Sequence, residues 1–247
     1  MMKQQGRLIL ALDTSTACCT LALTRGTAMQ GEVLASISLN SGARHSRRLL
    51  SVIDWMFSET EVDWPMIEGI AVGLGPGSFT GLRIGMATAK GLAATADVPL
   101  AGISTLDALA CNCTTEKLIC AVLDARKKQV YAAFYRLGTS GIVERIGEIH
   151  AVDPAILMRE IQESVLMVGD AVLTYGGMWQ EGLGDKVAFA PSGLHYPSAA
   201  IVGLLGGNEL AAGRNLDLAS AVPLYVRASD AELGLKRKGQ GEGEASV

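Results

Sequence analysis

One short pattern occurs twice in this chain and sets its architecture. "LILALDTSTACCTLALTR" (8–25) is an apolar run ending in aspartate, a turn, and a second apolar run closed by arginine. "LICAVLDARKKQVYAAFYR" (118–136) repeats it, and Asp124 stands as far from Arg136 as Asp13 does from Arg25. Short apolar runs joined by a tight turn read as hairpins. Each copy opens a set of strand-like and then helix-like segments, which predicts a duplicated α/β fold.

In the first half, 7–13, 18–25 and 32–40 read as strands. The segment 45–59 places Leu49, Val52, Ile53, Met56 and Phe57 at helical spacing. A buried strand is expected at 67–75, a helix from Ser78, and a strand at 98–104, where Ser104 and Asp107 resemble a capping box. In the second half, Asp153-Pro154 is an N-cap and first-turn pair for a helix over 154–164. Strands are expected at 164–170 and 187–191, a short helix at 171–180, a helix at 198–213 ending at Gly213, and an ordered end at 221–227. The domain reading is an N-terminal lobe over 1–104, a C-terminal lobe over 105–230 and a loose tail over 231–247.

The stretch "GLGPGSFTGLRIGMATAKGLA" (73–93) resembles a phosphate loop but lacks its parts. No lysine followed by serine or threonine comes after the glycines, and Gly81 falls one residue late for a dinucleotide fingerprint. Its helix N-terminus still offers N–H groups to an anion. Ser78 is the natural N-cap, and Gly81, Gly85, Ala89 and Ala93 recur every fourth residue. Glycine inside a helix costs about 1 kcal/mol relative to alanine, so Gly81, Gly85 and Gly91 together give up about 3 kcal/mol. Close packing should offset that, either against the chain's own elements or against another subunit.

Other chemistry is thinly signalled. Asp13 and Asp124 lie at strand ends, where a carboxylate either holds a metal–nucleotide complex or caps its own turn. His45 has leucine, Leu49, where a second helical metal ligand would stand. No serine sits in G-x-S-x-G. The net charge of -4 argues against broad electrostatic binding to nucleic acid, although Arg44/Arg47/Arg48, Arg126–Lys128 and Lys236–Lys238 form local basic clusters. The five cysteines are odd in number and lack C-x-x-C spacing, which fits reduced thiols in a cytoplasmic protein. No apolar run approaches a membrane span, and the N-terminus lacks signal-peptide form.

Taken in order, "ILALDTSTACCTLAL", "HSRRLLSVIDWM", "AVGLGPGSFTGLRIGMATAKGLA", "GISTLDALA", "LDARKKQVYAAFY" and "PLYVR" resemble the bacterial TsaB (YeaZ) family over most of 7–227. The resemblance implies a duplicated actin-like/sugar-kinase/Hsp70 ATPase (ASKHA, ribonuclease H-like) architecture in two lobes. It implies a non-catalytic subunit, without a cofactor, of the machinery that makes threonylcarbamoyladenosine at tRNA position 37. There TsaC supplies threonylcarbamoyl-adenylate and the paralogue TsaD transfers the group. TsaB pairs with TsaD, the ATPase TsaE joins them, and tRNA is met through the complex. The same surface would form a homodimer when the chain is alone. Carried over, the partner surface comprises His45, Arg48, Leu49, Val52 and Met56 on one helix. Ser78, Thr80, Gly81, Arg83, Ile84, Gly85, Thr88 and Ala89 supply the other. Asp13 and Asp124 would be the vestige of a nucleotide site. The rival reading is a small ATPase or kinase of the same superfamily that uses those two aspartates.

Overall fold

The computed structural model describes residues 6–40, 49–139 and 141–226. Its first half runs β1 (Leu8–Asp13), β2 (Cys19–Arg25), β3 (Glu32–Leu39), α1 (Leu49–Thr60), β4 (Gly69–Gly75), α2 (Phe79–Ala96), β5 (Leu100–Ser104) and α3 (Thr105–Ala110). The second runs β6 (Leu118–Arg126), β7 (Gln129–Leu137), β8 (Val143–Val152), α4 (Pro154–Glu160), β9 (Val165–Val168), α5 (Ala171–Leu183), β10 (Val187–Phe189) and α6 (Ala199–Ala211). The element order is the same in both halves. So is the sheet order, β3-β2-β1-β4-β5 in one and β8-β7-β6-β9-β10 in the other. β1 pairs antiparallel with β2 and parallel with β4, and β6 does the same with β7 and β9. The duplication expected from the repeated hairpin is therefore present strand for strand.

β1 is buried along its whole length, so both faces of its sheet are covered. Leu8, Leu10 and Leu12 point to one face and join Leu21, Leu23, Ile70 and Val72 in a core closed by α1 and α2. Ile9 and Ala11 point to the other face, beside Ala22, Ala71 and Ala101, and there α6 packs. That placement crosses the sequence boundary. α6 belongs to the second half by order but lies on the first sheet. α3 does the reverse, adding Leu106, Leu109 and Ala110 to a core with Ile119, Ala121, Leu123 and Tyr135 of the second sheet. By element order the halves thus exchange their last helices: the boundary at 104/105 places α3 with the sheet it packs on, whereas α6, inside 105–230, packs on the first sheet.

The exchanged α6 lies close to its sheet because both surfaces are small. A β-carbon on Gly203 would meet Thr24 and Ala11, one on Gly206 would meet the Ala71 β-carbon at 2.6 Å, and one on Gly207 would meet the Gly26 carbonyl. After α6 the chain crosses the β5 edge, where the Leu216 N–H donates to the Leu100 carbonyl at 2.8 Å. It then follows α2 as an irregular strap. Lys90 Nζ donates to the Ala219 and Ala221 carbonyls, and the Leu224 N–H donates to the Leu74 carbonyl at 2.8 Å. The end is ordered as expected, although 227 lies outside the described residues, as does the tail assigned to 231–247.

Three local differences from the sequence reading have physical causes. β8 is unforeseen because Gly147, with φ of 75°, interrupts its alternation. α5 runs three residues past the expected end at 180, to Leu183, where Gly184 ends it with φ of 55°. The 154–164 helix stops at Glu160, with Ile161 already extended. The five cysteines are free, and burial pushes the Cys111 and Cys113 thiols up to about 11, so at neutral pH they pack as thiols.

Two glycines separate packing from propensity. Gly206→Ala gains helix propensity but drives a β-carbon into Ala71, so unfolding by urea should show a loss of about 1–3 kcal/mol. Gly91 on α2 has nothing within 4 Å of its missing β-carbon. Its expected close packing is therefore absent, and Gly91→Ala should stabilise by up to about 1 kcal/mol in the same assay.

Candidate functional site

Two aspartates occupy equivalent positions, at the ends of β1 and β6, and each first serves its own turn. The Ser15 N–H donates to Asp13 Oδ1 at 2.8 Å, and the Arg126 N–H donates to Asp124 Oδ1 at 2.8 Å. Beyond that shared bond they differ. Asp13 is fully buried. Ser15 Oγ donates to its Oδ1 at 2.6 Å and Thr105 Oγ1, from α3, donates to its Oδ2 at 3.4 Å. Its Oδ2 also rests on Gly73, where a β-carbon would collide with it. Burial raises the Asp13 pKa, and the bonds from Ser15 and Thr105 oppose that shift.

Asp124 is only partly buried and pairs with Arg126 Nη1 at 3.4 Å. Its own N–H donates to Asp170 Oδ1 at 2.9 Å, and burial raises the Asp170 pKa. On the same second-half edge the Gly169 N–H donates to His195 Nδ1 at 3.2 Å, and burial lowers the pKa of that imidazole.

The turn after Asp13 also decides which way the glycine-rich helix faces. Thr14 Oγ1 donates to the Gly81 carbonyl at 2.7 Å, and the Ser78 N–H donates to the Ser15 carbonyl at 2.6 Å. A β-carbon on Gly77 would strike Ser15, one on Gly81 the Thr14 carbonyl, and one on Gly85 the Thr14 hydroxyl. Gly85, Ala89 and Ala93 are buried. The small-residue stripe therefore faces this chain's own turn and sheet. The expectation that Gly81, Gly85 and Ala89 clear a face for a partner's backbone is corrected on that ground. Ser78 is the N-cap, its Oγ accepting from the Gly81 N–H at 3.3 Å.

The opposite side of α2 is exposed at Ser78, Phe79, Thr80 and Arg83, with Ile84 and Thr88 half-buried. The Arg83 guanidinium lies 3.9 Å from the Phe79 ring centre, and its Nε donates to the Tyr225 hydroxyl of the strap at 3.3 Å. On α1, Leu49 and Met56 are in the first-half core, so these two surface assignments are also corrected. Val52 is half-buried and lines a groove with Ser36, Ile37, Leu39, Ser51 and Trp55. His45 and Arg48 lie outside the described residues. Sequence reading missed Leu50 and Trp55, which are 58% and 55% exposed, and Phe79 at 39%. The signal was available on α1, since both residues fall outside the register of Leu49, Ile53, Met56 and Phe57.

Comparisons with known proteins agree on kinship. The family model described as "TsaD: tRNA N6-adenosine threonylcarbamoyltransferase" matches residues 32–235. The tRNA threonylcarbamoyladenosine biosynthesis protein TsaB of Bacillus subtilis is 30% identical over 91% of this chain and 96% of its own. TsaB of Escherichia coli is 30% identical over 89% and 94%. A solved structure of YeaZ from Pseudomonas aeruginosa superposes with a TM-score of 0.70 at 26% identity, covering 89% of this chain and 99% of that one. The family model carries the transferase's description, whereas the relatives matched over nearly their whole length carry the TsaB name.

The sealed carboxylate has a testable pH signature. Its native pKa lies above the ordinary 3.8, so the folded state holds the proton more tightly than the unfolded state does. The stability this adds is present at low pH and is lost as pH rises through the native value. Asp13→Asn keeps an acceptor for Ser15 and can donate to Thr105, so it should match or exceed wild-type stability at pH 7 and flatten that dependence. Asp13→Ala strands the Ser15 donors and should cost about 1–3 kcal/mol. Denaturant titrations across acid pH check both variants.

Proposed function

The chain belongs to the TsaD-type family, in its TsaB (YeaZ) branch, and from that premise we propose that it takes part in tRNA N6-threonylcarbamoyladenosine formation as a non-catalytic, partner-holding subunit. The observation that carries this reading is the division of labour across α2. One face is spent on the chain's own turn and sheet, around an aspartate withdrawn from solvent. The other face is exposed at Ser78, Phe79, Thr80 and Arg83, beside Tyr225 of the strap.

The proposed partner is a TsaD-type paralogue, with a TsaE-type ATPase joining the pair and tRNA reached through the assembly in the cytoplasm. Its docking face consists of Leu50, Val52 and Trp55 on α1 with Phe79, Thr80, Arg83, Ile84 and Thr88 on α2. Both helices cover the same side of the first sheet. Aromatic residues and arginine dominate the energetics of such contacts. A face of this kind also supports symmetric self-pairing when the paralogue is absent.

The rival reading, an ATPase or kinase, needs Asp13 at the metal–nucleotide complex. In this fold Asp13 is fully buried and already accepts three hydrogen bonds. A carboxylate so engaged would have to leave its turn to reach a metal, which favours the subunit reading.

Trp55→Ala tests the docking face. The side chain is largely exposed, so the variant should fold with a near-native melting temperature. Its affinity for the cognate TsaD-type partner, measured by calorimetry, should fall at least tenfold, as about 1.4 kcal/mol per decade requires of an interface anchor. An unchanged affinity would remove α1 from the interface.

A further inference from the structure

The tip of the β6–β7 hairpin combines backbone strain with concentrated charge. Arg126, Lys127 and Lys128 have φ values of 61°, 52° and 59°. All three are exposed, and the Arg126 side chain is 86% exposed. Lys127 and Lys128 are the two central residues of a turn that returns the chain from Arg126 to Gln129. Two-residue hairpin turns with positive φ at both positions favour Asn-Gly or Gly-Gly. A residue bearing a β-carbon pays roughly 1–2 kcal/mol for the left-handed conformation. Elsewhere among the described residues positive φ falls mostly on glycine, as at Gly26, Gly141, Gly169 and Gly213, with Glu61 and Asp97 as isolated exceptions and no other run of three. Here it places three cations instead.

The first half supplies an internal comparison. Its hairpin makes the same aspartate-to-N–H bond two residues on. Yet its turn, Thr14 to Cys18, is uncharged and lies largely buried under α2. The fold therefore does not require a basic or strained tip. The acidic groups facing the tip are Asp124, paired with Arg126, and Asp170, which holds the Asp124 N–H. They brace the hairpin's base and offset part of its charge. Strain retained at an exposed site points to use of the side chains that bear it.

We propose that Arg126–Lys128 is a phosphate-contacting tip that engages the RNA backbone of tRNA in the assembly. The proposal rests on the tRNA-modification reading above. Phosphate is the shared chemistry of RNA and free nucleotides. A projecting tip suits a long polyanion that comes to it, whereas a nucleotide is usually held in a concave site. The chain's overall charge of -4 gives no general affinity for RNA, so a local cluster has to supply it.

The experiment uses Lys127→Asn/Lys128→Gly, which installs a relaxed turn while removing two charges. This variant should melt higher than wild type and join the TsaD-type partner with unchanged affinity. The resulting complex should bind an unmodified tRNA transcript roughly tenfold more weakly at 0.1 M salt, with a salt slope shallower by about 1.5–2. Lys127→Gln/Lys128→Gln keeps the strained backbone and should show the same loss without the gain in melting temperature. Unchanged tRNA affinity and slope in both variants would overturn the proposal. So would a wild-type thermal shift with ATP that both variants lose while tRNA binding persists. If wild type fails to join the partner, the subunit reading fails instead, and the tip is judged by the same transcript titration on the isolated chain.

Discussion

The close contact of α6 with the first sheet is the constraint from which the rest of the molecule follows. Gly203, Gly206 and Gly207 lie on a sheet face made of Ala11, Ala22, Ala71 and Ala101. Neither surface has side chains long enough to fill a wider gap. Protein interiors are close-packed, so a helix and sheet with such surfaces must approach until they touch. This helix comes from the other half of the chain, and α3 makes the reciprocal crossing into the second core. The two repeats are thereby bound into one structure, and the strap that leaves α6 is delivered along α2.

A second close contact builds on the first. With the sheet fixed, the turn after Asp13 projects under α2, and Thr14 fits only because positions 81 and 85 are glycine. The lock takes up the inner face of α2. It also holds Ser15 where its N–H and hydroxyl satisfy Asp13. Small residues that resemble a nucleotide cradle thus keep the Asp13 carboxylate closed off from solvent. The proposed contacts are accordingly placed on the outer faces of α1 and α2 and on the basic tip at the equivalent position in the second half.

Much of this was legible in the sequence, and the misses that bear on packing between elements arise from contacts distant along the chain. The repeated strand–aspartate–hairpin disclosed the duplication, and Ser78, Asp153 and Gly213 marked helix ends. Local pattern also found the four-residue stripe on α2. It did not find the direction of that stripe, because the atom that fills it, Thr14 Oγ1, is far away in sequence. The return of α6 to the first sheet is equally non-local, and nothing in that helix names the sheet it will cover. Leu49 and Met56 are a different case: their spacing already set them with Ile53 and Phe57 on one face, and only the family resemblance placed them on a partner surface. Leu50 and Trp55 become informative only after Leu49, Ile53, Met56 and Phe57 have claimed the core.

The central claim is that the outer face of α1 and α2 is where this chain meets its paralogue. Hydroxyl-radical footprinting of the chain alone and in the complex tests it directly, because Trp55 and Phe79 are reactive and exposed while the buried Trp179 serves as internal reference. The account expects oxidation of Trp55 and Phe79 to fall sharply in the complex. Unchanged labelling of both, with protection confined to the edge that carries Asp124 and Asp170, would contradict it.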